Sequence, residues 1–320
     1  MVPKYTMHVR GVLAWTVCAA VACGGDKLAP PIDAPRIVDS ADAAPAARCS
    51  PTGAFGSAIN LGSAVNTAAN EATPRLSPDE LTIVFSRLNA DGTWDIYSAS
   101  RTSQTETFGT ASVMASLNSV YTDVWPTLTP DSLGIYFNTD RNNSMTGNED
   151  VFYAGRAAAT DDFDAPAIAS GFELNDNQPY VAGDGLAVYF SSATRPETTG
   201  GADLFYAPID GSGNVGAGQV LIGAVNTPAY EQVPVVTPDE LTLFFCRSNG
   251  TDNDIYTASR SSMSSPWGAG SAVPGYATVG VEEVPAWISP DGCDLYFYDN
   301  GSDMPDAQGL DDMYEIVRGS

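Results

Sequence analysis

The sequence predicts an all-β fold, a five-bladed β-propeller of four-stranded antiparallel blades closed by an N-terminal strand. The first indication is a segment written five times, whose turn aspartates follow one another at steps of 52, 53, 55 and 52 residues: Asp79, Asp131, Asp184, Asp239 and Asp291. A period of this length is typical of an array of like units. The second is the period-2 alternation within each copy, as in Leu81, Ile83 and Phe85.

The third indication is the order of the strands at the two ends of the chain. Each copy can be divided into strands A to D, with a Pro-Asp or Gly-Asp turn between A and B. The fifth copy ends after strand C, whereas residues 55–61 resemble a strand D and precede the first strand A. A closed ring accounts for both observations, because the N-terminal strand then completes the last blade and removes the open sheet edges.

The start of the chain reads as a secretory signal, residues 1–22. Lys4 and Arg10 precede an apolar run, residues 11–22, that is too short to span a bilayer. The small residues before Cys23 resemble the lipobox of bacterial lipoproteins. That resemblance implies an acylated Cys23 and a lipid anchor in the bacterial cell envelope, in the outer membrane because aspartate does not follow the cysteine. An ordinary cleavage site is the alternative.

Residues 23–52 form the next predicted segment, a flexible tether. They are rich in Ala, Pro and Asp, and such a composition buries too little apolar surface to offset the entropy of ordering the chain. Its predicted role is to hold the propeller, residues 53–320, away from the membrane.

The charge balance is strongly acidic. The chain has 14 basic and 39 acidic residues, and removal of the signal leaves 12 basic residues and a net charge of −27. This disfavours binding to nucleic acid or an acidic membrane surface. Since the single histidine, His8, lies in the signal, the mature chain has no Ser-His-Asp triad and no histidine-based metal site.

The repeat itself resembles a known family. The pattern P-x-L-[ST]-P-D-[EG]-L-x-[IL]-x-F followed by Asp-Ile-Tyr is similar to the WD40-like PD40 repeat of TolB-type propellers, over residues 53–320. That family usually has six blades, so five is a departure. The resemblance implies a binding or scaffolding protein and transfers no catalytic residue.

Five acids form the first candidate site. Each stands three residues before the proline of a strand A: Glu71, Asp123, Asp176, Glu231 and Glu282. Because the A strands of a propeller line its channel side by side, these carboxylates would lie at one height and form a ring at one mouth. Carboxylates so close together would raise each other's pKa or recruit a cation or ligand. The alternative is that each accepts backbone N–H groups and has only a structural role. Catalysis is a third possibility.

The loop between strands B and C of the fifth copy is a second candidate. It carries Asp299, Asp303, Asp306 and Asp311, and oxygen-rich loops with glycine suit Ca²⁺. A solvated acidic loop is the alternative, and no other cofactor is expected. Residues that are not repeated are the remaining candidates for a binding surface: Trp94, Tyr121, Arg195 and Tyr230.

Ring closure also predicts a disulfide. Cys49 lies six residues before Phe55, and Cys293 follows the A–B turn of the fifth copy. The two cysteines are expected at the same end of the last blade, and the six residues from Cys49 to Phe55 are long enough to cross the distance between them. A Cys49–Cys293 bridge is therefore predicted, with unpaired thiols as the alternative. Cys246 follows Phe245 within strand B and is expected to be a buried thiol.

The functional prediction is a non-enzymatic envelope lipoprotein whose propeller binds a protein, a glycan or a cation. We expect a monomer with an envelope protein or glycan as its partner, held at the membrane only by its lipid. One alternative is a glycoside hydrolase, because five-bladed propellers host enzymes that use paired carboxylates. The other is a purely structural spacer.

Overall fold

The computed structural model describes residues 48–50, 52–142, 149–173, 175–248, 250–301 and 304–319. Within these residues, twenty strands form five four-stranded antiparallel sheets, so the predicted five-bladed propeller is confirmed. No helix in this part of the chain is long and apolar enough to cross a membrane. Cys23, the signal and most of the tether lie outside the described residues.

The blades follow one another along the chain, after a short strand β1 (Ile59–Asn60). Blade 1 comprises β2 (Glu71–Leu76), β3 (Thr82–Leu88), β4 (Trp94–Ser100) and β5 (Ser112–Val113). Blade 2 comprises β6 (Asp123–Leu128), β7 (Gly134–Thr139), β8 (Asp150–Gly155) and β9 (Ala167–Ile168). Blade 3 comprises β10 (Asp176–Val181), β11 (Ala187–Ser192), β12 (Asp203–Pro208) and β13 (Gln219–Val220). Blade 4 comprises β14 (Glu231–Val236), β15 (Thr242–Ser248), β16 (Asn253–Ser259) and β17 (Ser271–Ala272). Blade 5 comprises β18 (Glu283–Ile288), β19 (Asp294–Asp299), β20 (Asp312–Val317) and the N-terminal β1.

The predicted ring closure is present. Ile59 and Asn60 pair antiparallel with Glu315 and Tyr314 of β20, and an isolated bridge joins Phe55 to Arg318. Strand β1 therefore occupies in blade 5 the place that strand D occupies in the other blades.

An arginine that follows strand C packs on an aromatic residue that lies four residues before strand D. The guanidinium carbon lies 4.3–4.5 Å from the ring centroid in four blades, in the pairs Arg101–Phe108, Arg156–Phe163, Arg260–Trp267 and Arg318–Phe55. Such cation–π contacts fasten the outer edge of a blade. In blades 1, 2 and 4 both residues of the pair come from the same copy of the repeat. In blade 5 the same contact joins Arg318, near the C-terminus, to Phe55 of the N-terminal segment.

The central B strands form the core. Their alternation buries one phenylalanine at an equivalent position in every blade, each fully shielded from solvent: Phe85, Phe137, Phe190, Phe245 and Phe297. This burial is the expected result of a period-2 pattern in a sheet packed on both faces.

A disulfide joins the N-terminal segment to blade 5. Cys49 and Cys293 are bonded, with their Cα atoms 5.6 Å apart, which is an ordinary separation for a disulfide. Next to it, Arg48 donates to Asp291 at 2.7 Å and to Asp294 at 2.6 Å. Of the described cysteines, Cys246 is the free one and is buried, as the sequence predicts.

Each A strand contains an irregularity that matters at the channel. The register between strands A and B shifts near its middle in every blade. In four blades the shifted residue has a positive φ of 52–61°, namely Thr73, Trp125, Gln178 and Val233. Bulges of this kind redirect side chains. The equivalent residue of blade 5 is Pro285, whose ring does not permit that conformation.

Candidate functional site

The carboxylates predicted to ring a mouth are buried in ion pairs. Glu71, Asp123, Asp176 and Glu231 have no exposed surface. Each is paired with an arginine at 2.5–2.7 Å, and the arginines are Arg87, Arg141, Arg195 and Arg247.

The backbone and a phenylalanine complete each of these contacts. The backbone N–H groups of Thr67, Ser119, Glu173 and Thr227 in the preceding loops donate to the four carboxylates. Each arginine also lies 5.1–5.4 Å from the centroid of the core phenylalanine of its blade. We therefore interpret these carboxylates as part of the scaffold, which corresponds to the backbone-accepting alternative. Arg195, expected on the binding surface, belongs to the same scaffold.

The fifth acid of this set is Glu283, not the predicted Glu282. Glu283 begins β18 and pairs in register with Asp299, as Glu71 pairs with Arg87. It also accepts the backbone N–H of Thr278 at 2.9 Å. The prediction counted back from the proline of strand A, and Pro285 stands one position earlier relative to the A–B turn than the prolines of the other blades.

Blade 5 departs from the ion-pair pattern. Asp299 stands where blades 1 and 4 have Arg87 and Arg247. The Asp299 side chain is 2% exposed and accepts the backbone N–H of Gly301. Burial, with smaller contributions from the charges of Glu283 and Asp311, raises the pKa of Asp299 to about 7.

The calcium hypothesis receives no geometric support from the described residues. None of them forms a group of three or more His, Cys, Asp or Glu side chains arranged to hold a metal. Asp306 is exposed and Asp299 is buried, while Asp303 lies outside the described residues. Calcium binding by this loop stays a prediction.

A cavity of about 220 Å³ lies at the end of the channel where the B–C loops emerge. Blades 1, 2 and 5 line it, with the residues Ala72, Thr73, Ser86, Trp94, Thr122, Val124, Trp125, Glu149, Tyr298 and Asp311. We call it the mouth pocket. It combines three large aromatic side chains with two carboxylates.

Three strand features place the aromatic residues. Trp125 occupies the bulge of β6, and its backbone N–H donates to the Ser86 hydroxyl of blade 1 at 3.3 Å. Tyr298 lies in β19, one residue before Asp299, at the position that Ser86 has in blade 1. Its ring centroid is 6.2 Å from that of Trp125. Trp94 begins β4 directly after a B–C loop.

The two carboxylates of the mouth pocket hold their protons more strongly than usual. Burial, assisted by the charge of Asp140, raises the pKa of Glu149 to about 7. Burial, assisted mainly by the charge of Glu282, raises the pKa of Asp311 to about 6. Both groups therefore exchange protons near neutral pH, where they both donate and accept hydrogen bonds.

Two of the predicted site residues, Trp94 and Asp311, line the mouth pocket. Tyr121 and Tyr230 are exposed but do not line it. Trp125, Tyr298 and Glu149 were not predicted. Trp125 and Tyr298 stand at positions that smaller residues occupy in the other blades. This difference between the copies is the sequence feature that could have identified them.

Comparison with solved structures agrees with the fold. The GH43_1 enzyme from Xanthomonas citri superposes with a TM-score of 0.56 at 12% identity, over 81% of this chain and 90% of that one. A thermostable family-43 glycoside hydrolase gives 0.53 at 15% identity, over 79% and 91%. TolB from Acinetobacter baumannii gives 0.48 at 15% identity over 79% of this chain, which spans 56% of that protein's length.

No family model matches this chain, and no curated protein sequence is similar to it. The similarities to the two glycoside hydrolases, both at low identity, show a shared fold. Function has to be argued from the site, because one fold hosts many functions.

Proposed function

We propose that this protein is a non-enzymatic glycan-binding propeller of the bacterial envelope, anchored through lipid on Cys23. The observation that supports the binding function is the mouth pocket, in which Trp94, Trp125 and Tyr298 surround Glu149 and Asp311. Ligand pockets are typically concave and aromatic-lined, with a few polar groups that fix orientation. A sugar ring has complementary chemistry, since its C–H face packs on aromatic rings and its hydroxyls bond to carboxyl groups.

The size of the pocket limits the ligand. Its volume of about 220 Å³ is below the range of roughly 300–1,000 Å³ that is usual for drug-sized ligands. We infer that it receives one terminal sugar residue, with the rest of the glycan outside. The net charge of −27 that remains after removal of the signal disfavours acidic glycans by repulsion, so the proposed ligand is neutral.

The test is an array of neutral oligosaccharides, followed by calorimetric titration of the best binder. Replacement of Trp125 by alanine should weaken binding at least about tenfold, because the few residues that dominate binding energy are enriched in tryptophan. Tyr230→Ala is the matched control, since Tyr230 is exposed and lies outside the pocket. Absence of binding to every oligosaccharide, or equal affinities of the two variants, would refute the proposal.

Glycoside hydrolysis is the second candidate, favoured by the raised pKa values of Glu149 and Asp311. A carboxyl group with a pKa near neutrality can act as the general acid, while a second carboxylate acts as base or nucleophile. Incubation with the bound oligosaccharide and detection of new reducing ends distinguishes the two functions. Release of sugar that is lost in Glu149→Gln and Asp311→Asn, while binding persists, would establish the hydrolase.

A further inference from the structure

Three residues meet where one blade adjoins the next, on the face that carries the A–B turns. Between blades 3 and 4 they are Tyr189 of β11, Glu240 of the next A–B turn and Arg260 after β16. The Arg260 guanidinium donates to the Tyr189 hydroxyl at 3.3 Å and lies 3.9 Å from the Glu240 carboxylate. Between blades 5 and 1 the corresponding distances are 3.5 and 3.9 Å, in the set Tyr296, Glu80 and Arg101. We call these three residues the junction set.

The junction of blades 2 and 3 keeps only the tyrosine of this set. Tyr136 of β7 precedes the core phenylalanine of its blade, as Tyr189 does. Gly185 takes the place of the glutamate, and Ile209 takes the place of the arginine. The other four blades all have arginine at that position, namely Arg101, Arg156, Arg260 and Arg318. The repeated cation is therefore missing from this one junction.

A cavity of about 310 Å³ lies at the junction of blades 2 and 3. Tyr136, Gly185 and Ile209 all line it, so it lies where the missing side chains would be. Tyr136 is 3% exposed, and its ring contacts Tyr153 at 4.8 Å and Phe172 at 6.3 Å. In the part of the chain that the structure describes, its hydroxyl has no hydrogen-bond partner. A buried hydroxyl without a partner is costly, so this one favours a ligand that supplies the partner. We call this space the junction cavity.

The walls of the junction cavity are acidic. Three aspartates line it, namely Asp131, Asp184 and Asp210. Hydrogen bonds from Thr129 and from Asn214 hold the pKa values of Asp131 and Asp210 below their ordinary values, so both groups are ionised at neutral pH. Among the described residues that line the cavity, none is lysine or arginine. The cavity therefore offers hydrogen-bond acceptors and negative charge to a cationic donor.

We propose that the junction cavity binds a guanidinium group, held as the chain's own arginines are held at two other junctions. The group would donate to the Tyr136 hydroxyl and pair with the aspartates, in the arrangement that Arg260 shows one junction further on. Tyr153 is 38% exposed and lines the same cavity, and its ring can stack on a planar cation. The net charge of −27 that remains after removal of the signal attracts cationic ligands to the whole protein. Free arginine and an arginine side chain of a partner protein share this chemistry.

This site is independent of the proposed glycan pocket. The junction cavity adjoins the A–B turns between blades 2 and 3, whereas the mouth pocket lies at the B–C end of the channel among blades 1, 2 and 5. Failure of glycan binding would therefore not affect the guanidinium site. The reverse also holds.

The experiment is calorimetric titration of the mature chain with N-acetyl-argininamide at low ionic strength. N-acetyl-citrullinamide is the neutral control, since a urea of the same shape replaces its guanidinium. The arginine compound should bind, and the citrulline compound should bind at least about tenfold more weakly because the charge-assisted hydrogen bonds are lost. Free arginine distinguishes the two sources. If it binds more tightly than the capped compound, the natural ligand is a small molecule; otherwise it is a partner's side chain.

Two turn aspartates provide matched variants. Asp131 and Asp79 accept the same turn hydrogen bond, from Thr129 and Ser77 respectively, but only Asp131 lines the junction cavity. Asp131→Asn should weaken binding of the capped arginine by roughly three- to tenfold. Asp79→Asn loses the same charge from the protein and should leave this binding unchanged.

Rebuilding the junction set provides a second test. The double variant Gly185→Glu, Ile209→Arg supplies an internal guanidinium and should no longer bind the capped arginine. The backbone accepts a glutamate there, because the φ of 70° at Gly185 is close to the 61° and 53° of Glu80 and Glu240. Circular dichroism checks that the variant is folded, and if it is not, the Asp131 and Asp79 variants decide. The proposal is wrong if no arginine compound binds, if the citrulline compound binds equally, if the two aspartate variants behave alike, or if the folded double variant still binds.

Discussion

Removal of the Cys49–Cys293 bridge should destabilise the propeller more than any other change at its edge. The bridge spans 244 residues of sequence. The chain-entropy relation gives a stabilisation of about 5 kcal/mol for a loop of this length, with smaller values common in practice. What remains without it is modest. Strand β1 pairs through two residues, and Phe55 adds an isolated bridge and a cation–π contact to Arg318. Arg48, whose side chain is 47% exposed, forms ion pairs of the kind that contribute little.

The double variant Cys49→Ala, Cys293→Ala should therefore lose about 2–5 kcal/mol in the free energy of unfolding. Urea unfolding followed by tryptophan fluorescence measures this loss. Amide hydrogen exchange locates it, since β1 and β20 should lose protection before the strands of blade 3. A reducing agent should destabilise the wild type equally and leave the double variant unchanged.

The free thiol provides the matched control. Cys246→Ala removes a buried sulfur from blade 4 without opening the ring. A double variant that is as stable as the wild type, or that loses protection uniformly, would contradict the reasoning. Peptide mapping without reduction checks the pairing, and a bridge that includes Cys246 would also contradict it.

Three further predictions concern single side chains. Because the pKa of Asp299 is raised to about 7, the folded state binds its proton more tightly than the unfolded state, and stability should fall by up to about 1.4 kcal/mol per unit as pH rises from about 4 to 7. Asp299→Asn should flatten this slope, which urea unfolding across that pH range measures. Arg87→Met leaves the buried Glu71 carboxylate without its ion pair and should cost about 3–5 kcal/mol; adding Glu71→Gln should recover part of the loss, and a silent single variant would contradict this role. Cys23→Ser should abolish lipid attachment, seen as a shift out of the detergent phase; unchanged partitioning would exclude the anchor.

The fold could be predicted because each blade is written in the local sequence. The period, the alternation in the B strands and the spare strand at residues 55–61 together determine five blades and the closing strand. The Cys49–Cys293 pairing followed from the same topology. These features depend on strand order and direction, which a repeat reveals without knowledge of any side-chain contact.

The candidate site could be predicted only in part, because the arginine that pairs with the repeated carboxylate lies within strand B in blades 1 and 4 but in the loop after strand B in blades 2 and 3. Arg87 lies 16 residues after Glu71, whereas Arg195 lies 19 residues after Asp176. The number of residues between carboxylate and arginine therefore differs between blades, and the repeat does not reveal the ion pairs. Without these partners, the sequence made the carboxylates look like a ligand-binding ring. The shift of Pro285 by one position had a similar effect, since it moved the prediction from Glu283 to Glu282.

Departures from fivefold repetition distinguish the mouth pocket from the scaffold. At the bulge, four blades place Thr73, Trp125, Gln178 and Val233, and the one tryptophan faces the one tyrosine that strand B places at the same level, Tyr298. A scaffold that needs the same residue in every blade exerts no pressure for a tryptophan in one blade. The mouth pocket, where the unrepeated Trp125 and Tyr298 lie beside two carboxyl groups, is therefore where ligand recognition should be sought.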